Sequence, residues 1–220
     1  MDVTSYLLGK NASGGGGGGD TSKYFTPTID AGTSTYDSGI ANMIKTIPSN
    51  TTVKGTTLYR AFRYSGIEEL PLIDTSNVTN MYECFTGCSK LKTIPLLNTN
   101  NVTNLEGAFY NCILFETLPQ INTQNVTSMY SMFYGCSSLK NIPLLNTSKL
   151  TDMRNIFTNC PFLTDTSLDN ILQMCANATA YTRQKTLVSI GFSSSYYSAS
   201  KIQALPHYQD FVNAGWTIGY

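Results

Sequence analysis

Cysteine, histidine and paired carboxylates are the side chains from which a nucleophile, a metal centre or an acid–base pair would be built. This chain of 220 residues offers six cysteines, one histidine and few acids. The cysteines are Cys84, Cys88, Cys112, Cys136, Cys160 and Cys175, and four of them, from Cys88 to Cys160, recur every 24 residues. A metal centre needs CxxC pairs or Cys/His clusters, which this spacing does not supply. Equivalent positions along a repeat predict free thiols stacked in a buried ladder. Neighbouring strands about 4.8 Å apart make oxidation between copies geometrically conceivable, but no disulfide framework is expected. His207, within Leu205-Pro206-His207-Tyr208, has no nucleophile or orienting acid beside it in sequence, and a place on the surface or packed in a cap is its expected role. Two facing carboxylates would suit glycoside hydrolysis. Glu68, Glu69 and Asp74 belong to a degenerate first repeat, whereas Glu106 and Glu116 stand where other copies carry Tyr or Lys, so all five read as solvated surface. The six glycines Gly14 to Gly19 lack the Lys-Ser/Thr of a phosphate loop. No catalytic residue, cofactor or metal is expected, and the chain is predicted to be non-enzymatic.

These positions are set by a repeat. Pro71, Pro95, Pro119 and Pro143 lie 24 apart, as do Phe85, Phe109, Phe133 and Phe157. Val78, Val102, Val126 and Leu150 share a phase, and Met81, Leu105, Met129 and Met153 share another. Phe62 falls 23 residues before Phe85, as in a terminal capping repeat. Val78, Met81, Phe85 and Cys88 have the i, i+3, i+7, i+10 spacing of an amphipathic helix of about two turns. Thr75-Ser76-Asn77 and its copies at Thr99, Thr123 and Thr147 would cap that helix, which also accounts for sequons such as Asn77-Val78-Thr79 without glycosylation. Gly87, Asn111, Gly135 and Asn159 would stop it in the left-handed conformation. Leu91, Ile94 and Leu97, around Pro95, form an extended segment, with the proline expected at the strand end. The predicted fold is an α/β solenoid of strand–helix repeats with a parallel sheet on one side and helices on the other. Each unit is too small to bury its own apolar face and must stack on its neighbours.

The repeat NTxNVTxMxxMFxGCxxLKxIPLL, best copied from Asn122 to Leu145, resembles the BspA-like leucine-rich repeats of bacterial surface proteins, which also occur in bacteriophage genomes. The resemblance covers roughly residues 58–163 and implies a binding scaffold. The short glycine-rich head and the C-terminal FVNAGWTIGY resemble repeat proteins encoded among phage virion genes.

Four regions follow: residues 1–24, a peptide and glycine-rich linker; 25–57, an N-terminal cap with a short helix from Gly39 to Lys45; 58–163, the array; and 164–220, a helical C-terminal cap. Within the last, Ser167 is expected to cap a helix from Leu168 to Ala176, Tyr197–Leu205 to be stopped by Pro206, and Tyr208–Ala214 to end at Gly215. Charged residues are 13% of the chain and balance to zero. No basic run suits nucleic acid or an anionic membrane, and no stretch of about 18 apolar residues suggests membrane insertion. The N-terminal MDVTSYLLGKNAS reads as no secretory leader. The expectation is therefore a virion protein made in the host cytoplasm, with a cell-surface adhesin exported non-classically as the alternative. Its expected partners are other virion proteins through the glycine-rich segment, a host surface protein or glycan, and a second copy of itself in a homo-oligomer. Recognition would be carried by one of two faces, or else by loops, caps or an oligomer interface. The extended segments present Lys92, Leu96, Glu116, Gln120, Lys140 and Leu144; the helices present Tyr82, Tyr110, Tyr130 and Tyr134, a residue type suited to contact surfaces. A carbohydrate-active enzyme using Glu68, Glu69 or Asp74 is the third reading.

Overall fold

The computed structural model describes residues 28–30, 47, 52–186, 191 and 195–218. The glycine run, the 1–24 peptide and the expected helix from Gly39 to Lys45 lie outside the described residues. Strands β1 (Thr28–Asp30) and β2 (Thr52–Lys54) pair in parallel, Ile29 opposite Val53. The repeats follow, and then three helices: α1 (Asp165–Asn177), α2 (Ala199–Gln203) and α3 (Tyr208–Asn213).

The repeats stack in register as a leucine-rich-repeat-like solenoid. Parallel bridges link Asn80 to Asn104, Asn104 to Ser128 and Ser128 to Asp152 along one track, and Glu69 to Thr93 and Thr117 to Asn141 along another. The Val, Met/Leu, Phe, Cys and Leu/Ile registers read from the sequence are buried, the proline register is partly exposed, and the phenylalanines form one column, with successive centroids of Phe62, Phe85, Phe109, Phe133 and Phe157 5.2, 5.3, 5.6 and 5.8 Å apart. These are favourable offset-stacking distances.

The predicted helix in each repeat does not form. In its place stands a ribbon of consecutive turns, and the reason lies in two left-handed residues per copy. Gly87, Asn111, Gly135 and Asn159 have positive φ, as the helix stop requires, but so do Glu83, Gly107, Ser131 and Asn155 four residues earlier. A left-handed residue in mid-segment interrupts an α-helix. The backbone donors are nevertheless fully used, as buried amides must be. Met81, Glu83, Phe85 and Gly87 give their N–H groups to the carbonyls of Asn104, Glu106, Ala108 and Tyr110 in the next repeat, at 2.7–3.0 Å. Cys84, Thr86 and Cys88 close turns onto Met81, Glu83 and Phe85, and Tyr82 N–H donates to Asn80 Oδ1. Alternate amides thus bind the neighbour where a helix would direct them all inward. The extended segments differ in degree from the predicted sheet: they meet through isolated bridges and single bonds such as Glu116 N–H to Lys92 O.

The threonines predicted as helix caps serve instead between repeats. Thr75, Thr99 and Thr123 are buried and donate to the carbonyls of Asn98, Asn122 and Asn146, and Thr147 donates to Met174 in α1. The sequon threonines form a second ladder, Thr103 to Thr79 O and Thr127 to Thr103 O. Cross-repeat bonding, not helix capping, therefore accounts for these sequences.

At the C-terminal end, α1 begins three residues before the expected position. Its cap is Thr164, whose hydroxyl accepts the Ser167 N–H. Ser167 itself turns toward the last repeat, donating to Lys140 O and accepting from Ile142 N–H. Tyr197 OH donates to Cys160 O and accepts from Leu163 N–H, which sews the cap to the array. Helix α2 starts after Ser198, later than expected, and α3 closes near Gly215, where φ is positive.

Candidate recognition groove

Three of the four predicted tyrosines converge. Tyr82, Tyr110 and Tyr130, with Arg63, Tyr64, Glu83, Thr86, Glu106, Gly107 and Ser131, line a groove of about 380 Å³ on the turn ribbon. The ribbon dictates this. Each copy has a side chain directly after its Asx-type turn: Asn80 Oδ1 accepts from Tyr82 N–H, Asn104 Oδ1 from Glu106 N–H, Ser128 Oγ from Tyr130 N–H and Asp152 Oδ1 from Arg154 N–H. Repeat stacking turns these equivalent residues into a column, Tyr59, Tyr82, Glu106, Tyr130 and Arg154. Tyr59 and Tyr82 stack at 5.0 Å, and the Arg154 guanidinium carbon lies 5.1 Å over the Tyr130 ring. A second column runs beside it, in which Tyr110 and Tyr134 stack at 4.7 Å; Tyr134 flanks the groove without lining it. Between the columns lies the left-handed register. Gly107 has φ +59°, and an added Cβ would sit 3.1 Å from Glu83 Cγ, so the missing side chain keeps the floor open.

Charge in the groove is mostly paired. Glu83 Oε2 takes Arg60 Nε at 2.8 Å and Arg63 Nε at 3.1 Å. Asp152 binds Arg154 through both of its oxygens, at 2.9 and 2.6 Å, with Arg183 at 3.6 Å. Burial opposes ionisation of Asp152, but the Arg154 hydrogen bonds outweigh it and hold the carboxyl below its ordinary range. Glu106 differs. Burial, with the nearby charges of Asp152 and Glu83, pushes its carboxyl upward against Arg154 and a Ser128 hydrogen bond, and it makes no ion pair among the described residues. Sequence reasoning placed Glu106 in a solvated surface position; the structure half-buries it between two tyrosines. Its replacement of Tyr in the column was the available signal.

The predicted strand-face residues lie elsewhere. Lys92, Glu116 and Lys140 form an exposed column in which Lys140 Nζ meets Glu116 at 3.0 Å. Leu96, Gln120 and Leu144 form another, Gln120 donating to Leu144 O. None of the six lines the groove.

The remaining chemistry-bearing residues have structural places. All six cysteines are free and buried, and Cys88, Cys112, Cys136 and Cys160 each direct Sγ at the carbonyl of Phe62, Phe85, Phe109 or Phe133, at 2.9–3.1 Å. Burial pushes the Cys88 and Cys160 thiols up to about 12. His207 Nδ1 lies 2.7 Å from Asp169 Oδ2, and the His207 backbone N–H donates to Asp169 Oδ1, which ties the start of α3 to α1. Among the described residues no cluster of three metal-ligating side chains exists, and no helix is long and apolar enough to cross a membrane.

Comparison with known proteins places this repeat array. The family described as "Mycoplasma protein of unknown function, DUF285" matches residues 56–171, more than half of the chain. The chain belongs to the DUF285 family. The DUF285 match coincides with the stacked repeats and agrees with the BspA-like leucine-rich-repeat resemblance of their sequence. A crystal structure of the T. pallidum leucine-rich repeat protein TpLRR is similar over 56% of this chain and 69% of that one, at 15% identity and a TM-score of 0.38. A search of curated proteins finds no match. The virion and cell-surface readings are not carried by the DUF285 assignment.

Proposed function

We propose that this DUF285 chain is a non-enzymatic recognition protein that binds a macromolecular partner through the tyrosine-walled groove of its turn ribbon. One observation carries the reading: partly exposed tyrosines from three repeats line a single groove, where each supplies large contact area at low conformational cost. The carboxylates there favour binding over hydrolysis. Glu83 is tied up by two arginines, and Glu106 has no second free acid at the groove to complete a pair. The experiment is a binding measurement of labelled full-length protein on host or bacterial cells. A Tyr82→Ala/Tyr130→Ala variant should bind at least tenfold more weakly, while Leu96→Ser/Leu144→Ser should bind as wild type. The opposite pattern would transfer recognition to the strand face.

For location, the proposal is attachment to a virus particle, with the glycine-rich N-terminal segment as tether to other virion proteins and a homo-oligomer as the particle-borne form. The resemblance of the glycine-rich head and the C-terminal tail to repeat proteins of phage virions favours it. The alternative is a bacterial cell-surface adhesin. Co-sedimentation of native protein with purified particles supports the first, and release of the protein by protease shaving of intact cells supports the second.

A further inference from the structure

The aromatic column on the turn ribbon is interrupted by one carboxylate, Glu106. Neighbouring repeats place equivalent rings about one aromatic stacking distance apart, 5.0 Å for Tyr59 and Tyr82. Tyr82 and Tyr130 are two repeats apart, and the position between them is Glu106, a side chain without a ring. Both tyrosines and Glu106 line the same groove. Two aromatic side chains and a carboxylate therefore border one groove, which offers an entering planar group rings to stack on and an acid beside them.

The charge of that space selects the group. Glu106 is half-buried and forms no ion pair among the described residues, although Glu83 and Asp152 beside it are satisfied by arginines. A neutral planar ligand would remove water from this carboxylate and leave it only the Ser128 hydrogen bond and the more distant Arg154 charge, which is costly. A guanidinium would pair with it through two parallel N–H bonds and stack on the tyrosines. The molecule already contains this arrangement one repeat further along the same column. Arg154 stacks on Tyr130 at 5.1 Å and is gripped by both oxygens of Asp152 at 2.9 and 2.6 Å. Tyr, carboxylate and guanidinium are thus all present on one side of Tyr130; on the other side the Arg60 guanidinium lies 5.5 Å over Tyr82 but pairs with Glu83, and no guanidinium is in ion-pair contact with Glu106 among the described residues. Gly107 keeps the approach open beside Glu106, because any side chain in its place would press on Glu83.

We infer that the Glu106 position between Tyr82 and Tyr130 is a receptor for one arginine side chain of a partner polypeptide. This rests on the recognition reading above and names the ligand chemistry of that groove. A lysine fits less well, since an ammonium neither stacks flat on a ring nor bonds a carboxylate in parallel.

The test uses the full chain and three peptides, acetyl-Gly-Ser-Arg-Ser-Gly-amide and its citrulline and lysine counterparts, titrated while the tyrosine ring resonances are followed by NMR. The arginine peptide should saturate and shift Tyr82 and Tyr130, and the other two should bind at least tenfold more weakly. Glu106→Gln should lose at least tenfold in arginine affinity with an unchanged unfolding midpoint. Glu106→Tyr, which completes the column, should raise the midpoint and abolish binding. Equal affinity for the citrulline or lysine peptide, or wild-type arginine affinity in Glu106→Gln, would overturn the inference. So would a neutral oligosaccharide that saturates the same tyrosines when the arginine peptide does not. If no peptide binds but Tyr82→Ala/Tyr130→Ala still weakens cell binding, the arginine inference falls while recognition by the turn ribbon stands.

Discussion

At the scale of the residue, the cysteines illustrate how a reactive group is made inert by position. A thiol must ionise to react, and burial pushes the Cys88 and Cys160 thiols up to about 12 while each Sγ faces a backbone carbonyl. We expect fewer than one thiol per chain to react with a disulfide reagent at pH 8 in native protein, and all six in denaturant; rapid titration of the native ladder would contradict the packing. Asp152 behaves oppositely. Its folded-state acidity is stronger than the ordinary value of 3.8, so its contribution to stability is complete above that value and is lost as pH falls through the lower folded one. Asp152→Asn removes this component. The urea midpoint of the variant should therefore decline less steeply than that of wild type on acidification from pH 5 to pH 3, although it starts lower. Parallel acid profiles for the two proteins would show that the Arg154 and Arg183 pairings do not operate in solution.

At the scale of the element, the turn ribbon is a structure that no isolated segment adopts. Half of its amides are satisfied only by the next copy, so its geometry is stable in the stack and not alone. The left-handed register at its end sets a strict requirement. Gly135 has φ +74°, and an added Cβ would come 2.1 Å from Asn111 Oδ1. Gly135→Val should cost more than about 1 kcal/mol, since a β-branched residue is strained there. Gly135→Asn should cost less, because Asn111 and Asn159 hold the same conformation at the same register and Asn tolerates it. Denaturant unfolding of both variants gives the order, and an equal loss would assign the whole effect to the contact with Asn111. The same ribbon should add no helical signal to the far-UV circular dichroism spectrum, to which α1, α2 and α3 contribute among the described residues.

At the scale of the whole molecule, stability is a property of neighbours. The cross-repeat ladders end at the last repeat, where Thr147 bonds Met174 in α1, Ser167 of α1 bonds Lys140 O, and Tyr197, just before α2, bonds Cys160 O. Repeat arrays without a terminal cover expose apolar surface and unpaired backbone. A chain ending at residue 164 should elute in size-exclusion chromatography as oligomer or aggregate, with the full chain as the control run beside it. A monodisperse, cooperatively folded monomer would show that the C-terminal helices contribute nothing to closing the array. The placement of recognition also belongs to this scale, since the groove draws on Tyr82, Glu106 and Tyr130 from three copies.

The period, the buried registers, the thiol ladder and the left-handed ends were legible in the residues, because each depends on residue type recurring at a fixed spacing. Gly and Asn at one register mark a left-handed turn however the chain continues, and apolar residues at 24-residue intervals must meet if the copies stack. The element between them was not legible. Val78, Met81, Phe85 and Cys88 have helical spacing, yet Glu83 and Ser131 adopt a conformation that neither residue prefers, and only amide bonding to the adjacent repeat compensates for it. The groove was half legible. The tyrosines could be singled out one by one, whereas the half-buried carboxylate of Glu106, without an ion pair among the described residues, arises only when the copies are superposed, since a side chain's solvation and partners are set by what the neighbouring repeat places beside it.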